Sequence, residues 1–126
     1  MDTDLREHAV NLLNKNYGDD CSFRDMISAA WLVAEVQGFH TQLDRDQAMI
    51  RIALIGTEVS EALQEIKRHG MDGTEACLRE LADVQIRLAD LVGMLGAAVQ
   101  FPRIVREKQL ANLQRPSKYG TPDAGK

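Results

Sequence analysis

Cysteine, histidine and cationic residues are all in short supply in this chain, and each shortage excludes something. Its two cysteines, Cys21 and Cys77, stand far apart with no CxxC or Cys/His spacing, so neither a zinc site nor a disulfide framework is signalled. Buried free thiols are the plain reading. None of His8, His40 and His69 follows a glutamate at the Glu-x-x-His spacing of di-iron bundles, which disfavours redox iron chemistry. Lysine and arginine number 15 against 19 aspartates and glutamates, and the net charge of −4 argues against broad binding to nucleic acid or to an anionic membrane. The longest apolar run, LVGMLGAAV, is too short to span a bilayer, and the start, MDTDLREHAV, lacks a basic segment followed by an apolar one. A cytoplasmic protein with no nucleic-acid or membrane partner is therefore expected.

The β-branched and aromatic alternation of strands is missing as well, while apolar residues recur at spacings of three and four in every long segment. The chain reads as all-α, a four- to five-helix bundle, with 44% hydrophobic residues over 126 positions, enough for one domain with a sizeable core. The first helix is expected over Leu5 to Asn16 and the second after Ser22, which with Asp25 approximates a capping box, stopping at Gly38. The third runs from Arg45 to His69 between Asp44 as N-cap and Gly70 as stop, and the fourth from Glu75 to Gln100 with Thr74 as cap. Pro102 suits the first turn of a fifth helix, which ends near Gln114. Residues 1–115 form the single domain on this reading, and 116–126 a Pro- and Gly-punctuated tail.

What the sequence does contain is acidic residues at helical spacing. In GTEVSEALQEIKRHG, Glu58, Glu61 and Glu65 fall within roughly 60° of one another on a helix, where their repulsion is unfavourable by a few tenths of a kcal/mol per pair. Ile50 and Leu54 project close to the same side, and the main apolar stripe comprises Ile52, Ile55, Gly56, Val59, Leu63 and Ile66. The next helix repeats the arrangement in LRELADVQIRLAD. There Leu81, Val84, Leu88, Val92 and Leu95 make the stripe, and Glu80, Asp83, Arg87 and Asp90 follow a second line. An acidic helix face ordinarily faces water, and Arg87 one turn from Asp83 would be its ordinary partner. Two such motifs on consecutive helices joined by a short turn can instead converge, and clustered carboxylates suit Mg²⁺ or Mn²⁺ completed by substrate phosphates.

Three stretches, GTEVSEALQEIKRHG, LRELADVQIRLADLVG and REKQLANLQRPSKYG, in this order and at these separations, resemble the MazG-like members of the all-α nucleoside triphosphate pyrophosphohydrolases. The resemblance covers roughly Gln47 to Gly120. The family pattern is EExxE on one helix and ExxD on the next, which carries over to Glu58, Glu61, Glu80 and Asp83 as metal ligands and catalytic residues; Thr57 stands where the first Glu of EExxE would be. The resemblance implies Mg²⁺-dependent (Mn²⁺ as a substitute) hydrolysis of a (d)NTP to the monophosphate and pyrophosphate. It also implies a helical bundle completed by oligomerisation as a homodimer or homotetramer. No general base is chosen among the four carboxylates and Glu65. Lys108, Asn112 and Arg115 share one face of the last helix, with Lys118 just beyond, and similarity to the family's Lys, Asn and Arg-Pro run points them at the triphosphate. Trp31 is the candidate to stack on a nucleobase, against a core role for an aromatic in AAWLVAE, and His40 reads as a loop residue with no special task. The competing class is a non-catalytic helical interaction module whose acidic face docks a basic partner.

Overall fold

A computed structural model describes residues 3–16, 22–40 and 42–115, the side chains of 12–16 excepted. Among them are five α-helices and no strand: α1 (Thr3–Asn16), α2 (Phe23–Val36), α3 (Arg45–His69), α4 (Thr74–Met94) and α5 (Gln100–Leu113), with a 3₁₀ turn at Gly70–Gly73 between α3 and α4. The expected tail over 116–126, Lys118 included, lies outside the described residues. No helix among the described residues is long and apolar enough to cross a membrane.

Local chemistry sets the helix ends. Ser22 Oγ accepts the Asp25 N–H at 3.1 Å and an Asp44 carboxylate oxygen accepts the Gln47 N–H at 2.8 Å, so α2 and α3 begin where side chains take up otherwise unpaired donors. Gly38 adopts φ +76°, and the Gly38 and Phe39 N–H groups turn back to the carbonyls of Glu35 and Ala34, a Schellman stop that only a glycine makes without strain. The same device stops α4 at Met94, short of the expected Gln100: Gly96 has φ +70°, and Ala97 N–H donates to Val92 O at 3.0 Å. This stop hides in an apolar stretch. Thr74 is not the cap of α4 but its first residue, its hydroxyl donating to Met71 O at 2.6 Å, and Gly73 takes the cap position.

Helix α4 packs against both α2 and α3, and α1 packs against α2. The core lies between α2 and α4, where Ile27 and Ala30 meet Ala89 and Val92, with Phe23, Leu88, Ala97, Ala98 and Phe101 around them. Alanines at the contact let the helices approach closely, and Ile27, fully enclosed, contributes about 1.5–3 kcal/mol by leaving water. A second cluster joins Ala9 of α1 to Leu32 and Val36 of α2. Helix α5 has no buried residue and is anchored through Phe101, whose ring meets that of Phe23 edge-on at 5.7 Å.

The expected apolar stripe of α3 does not form the core, and that of α4 does so only through Val92 and Leu88. Ile52, Val59 and Leu63 are about half exposed, as are Leu81 and Leu95. What α3 turns inward is Arg51, Ile55, Glu58, Ala62 and Glu65, at steps of four and three, with Ala62 fully buried. The matching line on α4 is Gly73, Ala76, Glu80, Val84 and Leu88. The carboxylate-bearing sides pack together along the seam, and much of the α3 stripe and the two ends of the α4 stripe are left outside. Cys77 is half-buried with a free thiol, and Cys21 lies outside the described residues.

Candidate metal centre

The α3–α4 seam carries acidic side chains at its middle. Glu58 is enclosed, with 12% of its side chain exposed, while Glu61 stands one turn on at the rim, and Glu80 reaches in from α4, half-buried. One carboxylate oxygen from each of Glu58, Glu61 and Glu80 lies within 4.8 Å of the others. Such crowding disfavours full ionisation. Glu80 is pushed up from 4.5 to about 7, first through a hydrogen bond shared with Glu61, then by desolvation, then by the charges of Glu61, Glu58 and Asp83. Its Oε2 is buried with no hydrogen-bond partner among the described residues. A buried, unpartnered acceptor amid other carboxylates fits a hard cation taking oxygen ligands.

The fourth expected ligand, Asp83, is exposed and stands outside the three-oxygen cluster, close enough to act on Glu80 by charge. It borders a cleft of about 240 Å³ together with Phe39, Arg51, Ile86, Arg87 and Asp90. The expected Asp83–Arg87 pair within α4 is replaced by a bond across the seam: Arg87 Nε donates to Glu58 Oε1 at 3.1 Å. Glu65 lies 4.0 Å from His69 Nε2 on its own helix and outside the cluster. The Thr57 hydroxyl donates back to Ala53 O at 3.3 Å along its own helix and so is turned to its own backbone, not to the cluster.

The proposed phosphate contacts are not brought to the cluster within this protomer. Lys108 and Asn112 on α5 and Arg115 just past its end are exposed and make no side-chain hydrogen bond or ion pair among the described residues. Trp31 is half-buried and borders a different cavity, about 400 Å³, with His8, Ile27, Ser28, Leu32 and Gly93.

Comparison of the chain with family models, with curated proteins and with solved structures finds no match. The assignment of a chemistry therefore rests on the residues themselves.

One constellation beside the cluster has no signal in the sequence. His40 spans two helices, its Nδ1 2.6 Å from Glu35 Oε1 and its Nε2 2.7 Å from Asp90 Oδ1, with the Trp31 ring stacked at 4.9 Å. Asp90 is buried, and Arg51 of α3 stands 3.6 Å from its second oxygen, so the carboxylate is paired from two sides, as burial requires. Arg51 also donates to Phe39 O at 2.8 Å. His40 thus fixes the chain after α2 against α4 and holds Asp90, which lines the cleft, in contrast to the idle loop role expected of it. The Gly38 stop is what redirects the chain so that His40 can do this.

Proposed function

We propose that this protein is a divalent-metal-dependent nucleoside triphosphate pyrophosphohydrolase of the MazG-like kind, converting a (d)NTP to the monophosphate and pyrophosphate. The observation that carries the reading is the unpartnered buried oxygen of Glu80 among carboxylates 4.8 Å or less apart, beside an open cleft. Glu58, Glu61 and Glu80 would hold Mg²⁺ or Mn²⁺, with Asp83 completing the set from the cleft side. A bound ion neutralises phosphate charge and lowers the pKa of a coordinated water. The remaining work falls to the chain. The cleft would take the nucleotide, and its walls, fixed by the His40–Asp90–Arg51 network, would orient the α–β phosphoanhydride bond across which water adds. Lys108, Asn112 and Arg115 would reach phosphates only if a second protomer presents them.

A second protomer also accounts for the outward stripes. Met49, Ile52, Val59 and Leu63 on α3 and Leu78 and Leu81 on α4 are all large, apolar and at least 43% exposed. Clusters of this kind mark interaction surfaces. We expect a homodimer or homotetramer, and a solution mass of 14.1 kDa by light scattering at micromolar concentration would count against it.

The reaction itself is tested by incubating a panel of NTPs and dNTPs with Mg²⁺ or Mn²⁺ and identifying products. Monophosphate with pyrophosphate from at least one nucleotide is the expected result. Release of inorganic phosphate with a diphosphate contradicts the assignment, and no turnover across the panel favours a docking module with an acidic face.

A further inference from the structure

Arg87 occupies an unusual position for a surface arginine. It is 44% exposed, yet its Nε reaches across the seam to the enclosed Glu58, whose carboxylate belongs to the crowded cluster. Nε is the only group of this guanidinium with a partner among the described residues. The side chain also borders the 240 Å³ cleft, where Asp83, Asp90 and Arg51 are the other charged groups. The two terminal nitrogens of Arg51 are engaged by Asp90 and by the Phe39 carbonyl, and only its buried Nε is without a partner among the described residues. Arg87 is therefore the cation in the cleft wall whose terminal amino groups have no protein acceptor. Its five donors form a planar fork suited to phosphate oxygens.

We propose that Arg87 is a counter-ion handed from protein to substrate: it neutralises Glu58 before a divalent ion binds and grips the nucleotide's polyphosphate once that ion takes Glu58. This rests on the metal reading above. The exchange leaves neither Glu58 nor Arg87 without a counter-charge. One cation leaves Glu58 as another arrives, and the displaced guanidinium finds anionic oxygens in the cleft that it already borders. A divalent ion must compete with the Arg87–Glu58 pair, so metal affinity and substrate affinity depend on Arg87 with opposite sign.

Arg87→Ala tests this by calorimetry with Mn²⁺ alone and then with a non-hydrolysable nucleoside triphosphate added. Without its competitor, Glu58 should bind Mn²⁺ about two- to fivefold more tightly, the range set by the strength of a part-exposed ion pair. Triphosphate binding should weaken about tenfold or more through the lost charge-assisted contact. Arg87→Lys should keep part of the triphosphate affinity, as a point charge without the fork. Unchanged or weaker Mn²⁺ binding in Arg87→Ala, with the wild type binding Mn²⁺ normally, overturns the handover and leaves the metal centre standing. Should neither protein bind millimolar Mn²⁺, the metal centre falls and the handover with it.

Discussion

Glu80→Gln is expected to abolish turnover and at the same time to make the metal-free fold more stable at neutral pH. The carboxyl of Glu80 is pushed from 4.5 to about 7 in the fold, so between those values the folded chain holds a proton that the unfolded chain has already lost. The sign follows directly. The contribution of Glu80 to stability is fully present below pH 4.5, declines as pH rises through the window, and is gone above about 7. The amide keeps the shape and the hydrogen bond to Glu61 without the charge. Thermal melting of the metal-free wild type should therefore fall relative to Glu80→Gln as pH rises from 4.5 to 7, and the two should run parallel above it. Because a metal must displace that proton, Mg²⁺ affinity of the wild type should rise over the same interval. Activity of the variant should drop by more than about 100-fold, beyond what loss of a group merely supporting a ligand costs. Glu61→Gln should lose turnover to a similar degree. Parallel melting profiles from pH 4.5 to 7 would place Glu80 outside any crowded cluster, and appreciable residual turnover would remove it from the catalytic set.

Gly73→Ala should unsettle the same centre from a distance. A Cβ at Gly73 would lie 2.5 Å from the Glu65 carbonyl oxygen and 3.2 Å from His69 Cβ, and the first of these is backbone that cannot swing aside. Either the 3₁₀ turn or the last turns of α3 must move. Overpacking of this kind costs about 1–3 kcal/mol. The displacement would also slide Glu80 against Glu58 and Glu61, and misplacing reacting groups by about 1 Å can cost on the order of 100-fold in rate. Gly56→Ala, in the middle of α3, serves as the control. Its Cβ meets nothing within 4 Å in the protomer, so there the better helix propensity of alanine should stabilise by up to about 1 kcal/mol. Melting and activity measured on both variants check the contrast, and a Gly73→Ala protein indistinguishable from wild type would show that the turn is not what aligns the two helices.

How much of this was legible in the sequence depended on whether the cause was local. The bounds of α3 were readable because Asp44 and Gly70 act within a turn of themselves, and the pairing of Glu58 and Glu61 with Glu80 followed from spacing plus a short connection. The end of α4 was not, since Gly96 sits in an apolar run that continues the helical pattern. Nor was the outward turn of much of the α3 stripe, because apolarity alone does not say which side of a helix its neighbour covers. Arg87 was assigned to Asp83 by the spacing rule, whereas proximity across the seam gave it Glu58. His40 had no local signal at all, its partner Asp90 being 50 residues away.

That separation bears on how the chain reaches this fold. α1 with α2, and α3 with α4, are neighbours in sequence as well as in space, so each hairpin closes a short loop and forms early at small entropic cost. The docking of α2 onto α4 joins segments far apart along the chain, and His40 meeting Asp90 belongs to that later closure. The α3–α4 hairpin would thus assemble its crowded carboxylates before the rest of the domain is in place, so that their mutual repulsion bears on the early hairpin as well as on the finished fold.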